Sequence, residues 1–159
     1  MQRAFVIRPF GRKKDRSGRE IDFEKVSNDL IEPALTATGL GGGTTGQIVE
    51  AGNIREDMFG LILEADVVVC DMTIHNANVF YELGIRHALR KKRSVLIRGA
   101  ASADDVAFDN LTDRYLPYDL DNPGASLRLS TQQLMEKPER RTWWISLAQR
   151  EPSISNLLS

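Results

Sequence analysis

In the segment CDMTIHNANVFYELGIRHAL, Asp71, Thr73, Asn76, Asn78 and Glu82 bring two carboxylates, a hydroxyl and two amides into one short stretch of chain. Paired carboxylates with hydrogen-bonding neighbours suit acid–base or nucleophilic work. Where positive charge builds on a reacting carbon, a carboxylate beneath it stabilises the transition state or captures it covalently. Glu82 is the candidate for this part, because it falls in the opening turns of an expected helix, whose positive end favours the ionised form. Asp71 is then available to hold substrate hydroxyls or to protonate a leaving group, and Asn76 and Asn78 to bond the substrate. A leaving group that is already cationic needs no strong acid, so one carboxylate and good positioning would suffice for it. Plainer roles compete with each of these. Glu82 and Arg86 stand at i and i+4, the spacing of a helix-surface ion pair worth roughly a few tenths of a kcal/mol. One of the two asparagines is a helix cap whatever else it does, and Asp71 could do no more than tie a turn.

Positioning these residues takes a strand before them and a helix after them. Val67 to Cys70 is continuously apolar and β-branched-rich, as a strand covered on both faces is. Asp71 to Asn78 consists of residues that make turns and cap helices. From Val79 the period changes: Val79, Leu83 and Leu89 fall on one helical stripe, and Asn78, Glu82 and Arg86 on another. Ligands of an open parallel sheet bind beyond the carboxyl ends of its strands, which is where this polar cluster is expected.

The rest of the chain repeats the alternation. Ala4 to Arg8 reads as a short strand ended by Pro9, and Gly11 to Glu20 as a polar loop. Phe23, Val26, Leu30, Ile31 and Leu35 recur at helical spacing within Asp22 to Thr38, with Pro33 as a kink or break and Gly39 closing the helix. Gly41, Gly42 and Gly43 read as a flexible loop before a weak edge strand near Gln47 to Glu50. Asn53 caps an expected helix to Glu64 that turns Ile54, Met58, Leu61 and Ile62 inward. Ser94 to Ile97 and Tyr115 to Tyr118 are further strands, and Pro123 to Met135 and Arg140 to Gln149 further helices. Trp143, Trp144, Ile145 and Leu147 give the last helix an apolar surface that the sheet or another subunit must cover. This order predicts an α/β fold, a doubly wound parallel sheet with helices on both faces and right-handed connections.

The chain has 159 residues, 42% of them hydrophobic, enough for one ordinary core, so a single domain is expected. A net charge of −1 gives no global attraction to nucleic acid or to an anionic membrane surface. No apolar run approaches the ~18 residues of a membrane span, and none reads as a signal peptide. The single cysteine, Cys70, sits in the buried strand as core filler and permits no internal disulfide, which suggests a reducing, cytoplasmic setting. His75 and His87, the only histidines, have no metal-site spacing, and Gly39 to Gly43 lacks the lysine of a phosphate-binding loop; neither a metal nor another cofactor is expected. Arg8, Arg12, Lys13, Lys14, Arg16 and Arg19 flank Gly11 and could take a phosphate-bearing substrate, although Asp15 and Glu20 stand among them. Gly99 to Asn110 reads as a candidate lid, whose Asp104, Asp105 and Asp109 oppose phosphate contact from that side.

The pairing of IRPFG after the first strand with ADVVVCDMT and NVFYELGIRHAL resembles the nucleoside 2-deoxyribosyltransferase-like superfamily, which includes nucleotide N-glycosidases and is structurally close to TIR domains. The resemblance implies a flavodoxin-like or TIR-like sheet within residues 1–150, with 151–159 a tail leading toward further domains of a larger signalling or defence protein. It implies Glu82, in Tyr81-Glu82-Leu83-Gly84, as the nucleophile or oxocarbenium stabiliser, and Asp71 as the sugar-binding aspartate. Arg8, Pro9, Phe10 and Gly11 become a pocket-lining loop, with Thr73, Asn76, Asn78 and Arg86 as further substrate contacts. The implied activity is cleavage of the base–ribose bond of a nucleotide or nucleoside, NAD among them, or base exchange as in a deoxyribosyltransferase. TIR-like sites are often completed between subunits, which implies a homo-oligomer. The other reading is a non-catalytic nucleotide-sensing or assembly module that keeps the pocket. Glu82, Asp71 and two asparagines together favour the enzyme; substrate, and hydrolysis against transfer, stay open.

Overall fold

The computed structural model describes residues 2–44, 54–89, 93–100, 102–104 and 115–135. The expected strand at Gln47 to Glu50, the Asn53 cap, the Ile54 side chain, most of the Gly99 to Asn110 lid and the Arg140 to Gln149 helix lie outside the described residues.

In chain order the strands are β1 (Arg3–Ile7), β2 (Arg12–Lys14), β3 (Glu20–Asp22), β4 (Gly41–Thr44), β5 (Val67–Asp71), β6 (Arg93–Gly99) and β7 (Tyr115–Tyr118). Five of them form a parallel sheet in the order β4-β1-β5-β6-β7. The direction of succession reverses between β1 and β5: β4 lies on one side of β1, while β5, β6 and β7 follow one another on the other. At such a reversal the connections leave for opposite faces, and a crevice opens beyond the strand ends. Ile7 is paired with Cys70, so Arg8 and Asp71 emerge from the sheet as neighbours.

Alternate side chains of a strand point to opposite faces. Val6, Val67, Val69 and Ile97 meet Leu30, Leu35 and Leu134 on one face; Phe5, Ile7, Val68 and Cys70 meet Met58, Ile62, Val79 and Leu83 on the other. Cover on both faces is why β5 carries no polar alternation: all of it is buried. The first face is packed by α1 (Phe23–Val26), which runs through a wider π turn (Ser27–Ile31) into α2 (Glu32–Ala37), and by α5 (Leu127–Met135). Asp22 caps this run, accepting from the backbone N–H of Glu24 and Lys25 at 3.0 and 3.1 Å. The π turn lies just ahead of Pro33, whose ring supplies no donor, so the helix is widened rather than broken there. Gly39 follows at φ +68°, a left-handed position that ends the helix.

Two expectations need correction here. Gly41, Gly42 and Gly43 are not a loop but the edge strand β4, registered on β1 from Arg3 to Val6; glycines carry no hydrophobic period, and pairing decides the conformation. The stretch expected as a polar loop contains an antiparallel hairpin, β2 against β3. Its turn is closed by Asp15, whose Oδ1 accepts from the N–H of Ser17 and Arg19 and from the Ser17 hydroxyl at 2.9, 3.0 and 2.6 Å. Opposite charges stand across its strands, Arg12 against Asp22 at 3.1 Å.

On the second face lie α3 (Ile54–Glu64) and α4 (Ala77–Leu89). Leu61 and Leu89, both expected inward, are 37% and 62% exposed. The buried stripe of α4 is Val79, Glu82, Leu83 and Arg86, so two charged side chains occupy positions where the helical period calls for apolar ones. Among the described residues no helix is long and apolar enough to cross a membrane.

Candidate functional site

Asp71 is the last residue of β5 and has no exposed surface. Its Oδ1 accepts from the Thr73 N–H at 2.9 Å and lies 2.5 Å from Thr73 Oγ1, and its Oδ2 lies 2.9 Å from the hydroxyl of Tyr118 on β7. Thr73 Oγ1 also contacts the Tyr118 hydroxyl at 2.8 Å and accepts from the Gly99 N–H at 2.8 Å. The Thr73 carbonyl accepts from Ser102 Oγ at 2.6 Å. The ends of β5, β6 and β7 are thus tied together through one threonine. Burial lifts the Asp71 carboxyl to about 6, against the opposing pull of the Thr73 and Tyr118 bonds and of the Arg8 cation. Contact with a sugar would require this set of bonds to open.

Glu82 is different in kind. It is the sixth residue of α4, beyond the first turn in which the helix dipole acts. It is 7% exposed, and burial pushes its carboxyl up to about 7, with no cation or hydrogen bond among the described residues to offset the rise. The expectation that the helix end would favour the ionised form is therefore reversed: desolvation outweighs the dipole. Glu82 is close enough to Cys70 that the two carboxylates, after burial itself, help to raise that thiol well above its usual range. Cys70 is fully buried and serves as core, as expected.

Arg8 leaves β1 beside Asp71 and is itself buried. Its guanidinium fork grips Glu24, Nη1 to Oε1 at 2.9 Å and Nη2 to Oε2 at 2.7 Å, and Nη1 also donates to the Pro9 carbonyl at 3.1 Å. Gly11, at φ +61°, turns its N–H toward the same carboxylate at 3.4 Å. The cradle expected for a phosphate, an arginine fork with a glycine amide, is filled by the chain's own Glu24, whose carboxyl the Arg8 bonds hold below its usual range. Phe10 lies over the Arg8 guanidinium at 5.7 Å and is 39% exposed. Other cations of the basic loop are paired as well, Arg12 with Asp22 and Glu20, and Arg19 with Asp121.

Asp104 has a role that its acidic character did not suggest. Its two oxygens accept from the N–H of Arg16 at 2.6 Å and of His75 at 2.7 Å, stapling the hairpin turn to the loop after β5. A polar cleft of about 380 Å³ lies there, lined by Lys14, Asp15, Arg16, His75 and Asp104. Neither Asp71 nor Glu82 forms its wall.

Asn76 is the cap of α4, its Oδ1 accepting from the N–H of Asn78 and Val79 at 3.0 and 3.2 Å, while Asn78 is exposed. Arg86 departs from its expected place. It is fully buried at the far end of α4, where Nη1 donates to the carbonyls of Ile62 and Ala65 at 2.7 and 2.9 Å and Nη2 to that of Arg93 at 3.2 Å. It caps the open carbonyls at the end of α3 and binds the start of β6, where a helix terminus favours a cation. Neither a substrate contact nor a surface ion pair with Glu82 describes it. The residues brought together at the strand ends are thus Arg8 to Gly11, Asp71, Thr73 and Asn76. Tyr118 and Glu24 join them without having been singled out; the only cue to Tyr118 was a hydroxyl-bearing ring at the end of a short strand. Among the described residues no cluster of His, Cys, Asp or Glu could hold a metal ion.

Fold and site together define an α/β protein whose polar residues gather beyond the carboxyl ends of a parallel sheet. No known family model and no curated protein matches the chain.

Proposed function

We propose that this chain is a nucleotide N-glycosidase that cleaves a base–ribose bond, of the kind represented by TIR-like NAD hydrolases. The observation that carries the proposal is Glu82, a buried carboxyl raised to about 7 by desolvation and without a neutralising cation among the described residues. Ionised, it stands in a largely desolvated place, and positive charge arriving on an anomeric carbon would stabilise it there. Attack by the carboxylate or by water at that carbon releases the base, and a cationic base such as nicotinamide leaves without a proton donor. Phe10, half-exposed beside Arg8, offers a ring on which a base can stack. A substrate phosphate would take the place of Glu24 on Arg8 and Gly11.

The proposal includes a doubly wound, flavodoxin-like or TIR-like single domain over residues 1–150. It includes a cytoplasmic setting and a homo-oligomer. Tyr81 and Leu89 on α4 and Leu61 on α3, all exposed, support an assembly surface. Deoxyribosyl transfer differs only in the acceptor. A non-catalytic nucleotide-sensing or assembly module draws support from one observation, that Asp71 is fully buried with both oxygens engaged.

The test is mass-spectrometric product analysis after incubating the full chain, and its Glu82→Gln variant, with NAD and common nucleosides and nucleotides. Release of a free base by the wild type alone supports the glycosidase and names its substrate. No change with either protein, at concentrations high enough for assembly, leaves the binding module.

A further inference from the structure

Asp71 Oδ1, Asp71 Oδ2, Thr73 Oγ1 and the Tyr118 hydroxyl close a ring of three contacts, at 2.5, 2.8 and 2.9 Å. Every one is of hydrogen-bond length and needs a proton between its oxygens. The two hydroxyls bring one proton each. The backbone amides cannot make up the difference, because the Thr73 and Gly99 N–H groups are already directed at Asp71 Oδ1 and Thr73 Oγ1. With Asp71 ionised, one contact sets lone pairs against lone pairs between residues that are at most 2% exposed. A proton on Asp71 Oδ2 completes the ring in one direction. Asp71 then donates to Tyr118, Tyr118 to Thr73 and Thr73 to Asp71 Oδ1, while Thr73 Oγ1 still accepts from Gly99.

Among the described residues the charged and titratable groups facing Asp71 are Arg8 just after β1, Tyr118 from β7 and Cys70 beside it on β5; β6 presents the Gly99 amide. Arg8 is the only one of these that favours the carboxylate by its charge, and its fork is held by Glu24. Burial already lifts Asp71 to about 6 against that pull.

We propose that Tyr118 is a positioning residue, which with Thr73 holds Asp71 as a neutral acid in a closed ring and so fixes the 72–76 turn from which the helix of Glu82 departs. The positioning role rests on Glu82 being the reactive carboxylate; the protonation of the ring is measurable without turnover.

The experiment titrates the aspartate carboxyl carbons of the full chain by ¹³C NMR, with denaturant midpoints for wild type, Asp71→Asn, Asp71→Ala and Tyr118→Phe between about pH 4 and pH 8. One carboxyl resonance, missing from Asp71→Asn, is expected to stay in its protonated position to about pH 6 or above. The wild-type midpoint falls as pH rises through that range. Asp71→Asn supplies a donor and an acceptor in the same shape and removes Asp71's share of the fall, leaving that of Glu82. Tyr118→Phe lowers the midpoint in wild type and in Asp71→Asn, and no longer does so in Asp71→Ala. A resonance already ionised at about pH 5, or a midpoint that rises with pH while Asp71→Asn is the less stable protein, overturns the inference. Should Asp71→Ala fail to fold, the NMR titration and the Asp71→Asn midpoints decide. A ring that titrates as expected in a protein that releases no base leaves the neutral acid standing and removes the glycosidase.

Discussion

Asp71 and Glu82 are both carboxyls that burial pushes upward, to about 6 and about 7, but they sit in opposite situations. Both oxygens of Asp71 meet a donor or a hydroxyl, whereas no bond or cation among the described residues offsets the burial of Glu82. A buried polar group without partners is a net loss to the fold. Satisfied, such a group holds structure; unsatisfied, it keeps interactions in reserve for whatever enters the site. The contrast makes Asp71 the anchor and, on the proposed function, leaves the chemistry to Glu82, a division that residue type alone did not reveal.

The sharpest way to break the comparison is Glu82→Gln. Base release should fall by about 10³-fold or more, while the denaturant midpoint at pH 8 should rise, because an ionised, unpaired group has been removed. Loss of both activity and stability would make Glu82 an anchor like Asp71. Arg86→Met should lower stability by roughly 3 kcal/mol or more, since buried carbonyls of Ile62, Ala65 and Arg93 lose their donors together; chemical denaturation measures it. For Asp71 the folded carboxyl lies above its ordinary 3.8, so its contribution is complete below that value and is lost as pH rises through about 6. A rise of about two pH units corresponds to about 3 kcal/mol, seen as the part of the falling midpoint that Asp71→Asn removes while the part due to Glu82 stays. Glu82 in its ionised role gives a rate that climbs with pH and levels above about 7; a rate that declines through that value would make Glu82 the acid. The smallest effect is expected from Asn76→Ala, about 1 kcal/mol of capping with the titration of both carboxyls unmoved.

The strand Val67–Asp71 and the helix after it were legible because burial on both faces leaves a continuous β-branched run and the change of period is abrupt. The same reasoning passed over β4, whose glycines have no pattern, and the hairpin, whose strand β2 is exposed throughout. It placed Asp71, Thr73 and Asn76 at the strand ends, since turn residues after a buried strand have nowhere else to go. It could not foresee Tyr118, whose bond to Asp71 spans 47 positions. Arg86 was misplaced because its partners are main-chain carbonyls, which leave no trace in side-chain spacing. Leu89 was misplaced for the complementary reason: Arg86 had taken the inward position of the stripe.

Arg86 fastens α4 to main-chain atoms of α3 and β6. Carbonyl oxygens are the same whatever residue bears them. Substitutions at Ile62, Ala65 or Arg93 that spare the backbone path leave this fastening in place. One turn back along the same helix stands Glu82, so the element that carries it is fastened through the polypeptide backbone, and the side chains at those three positions are free to drift in sequence without loosening it.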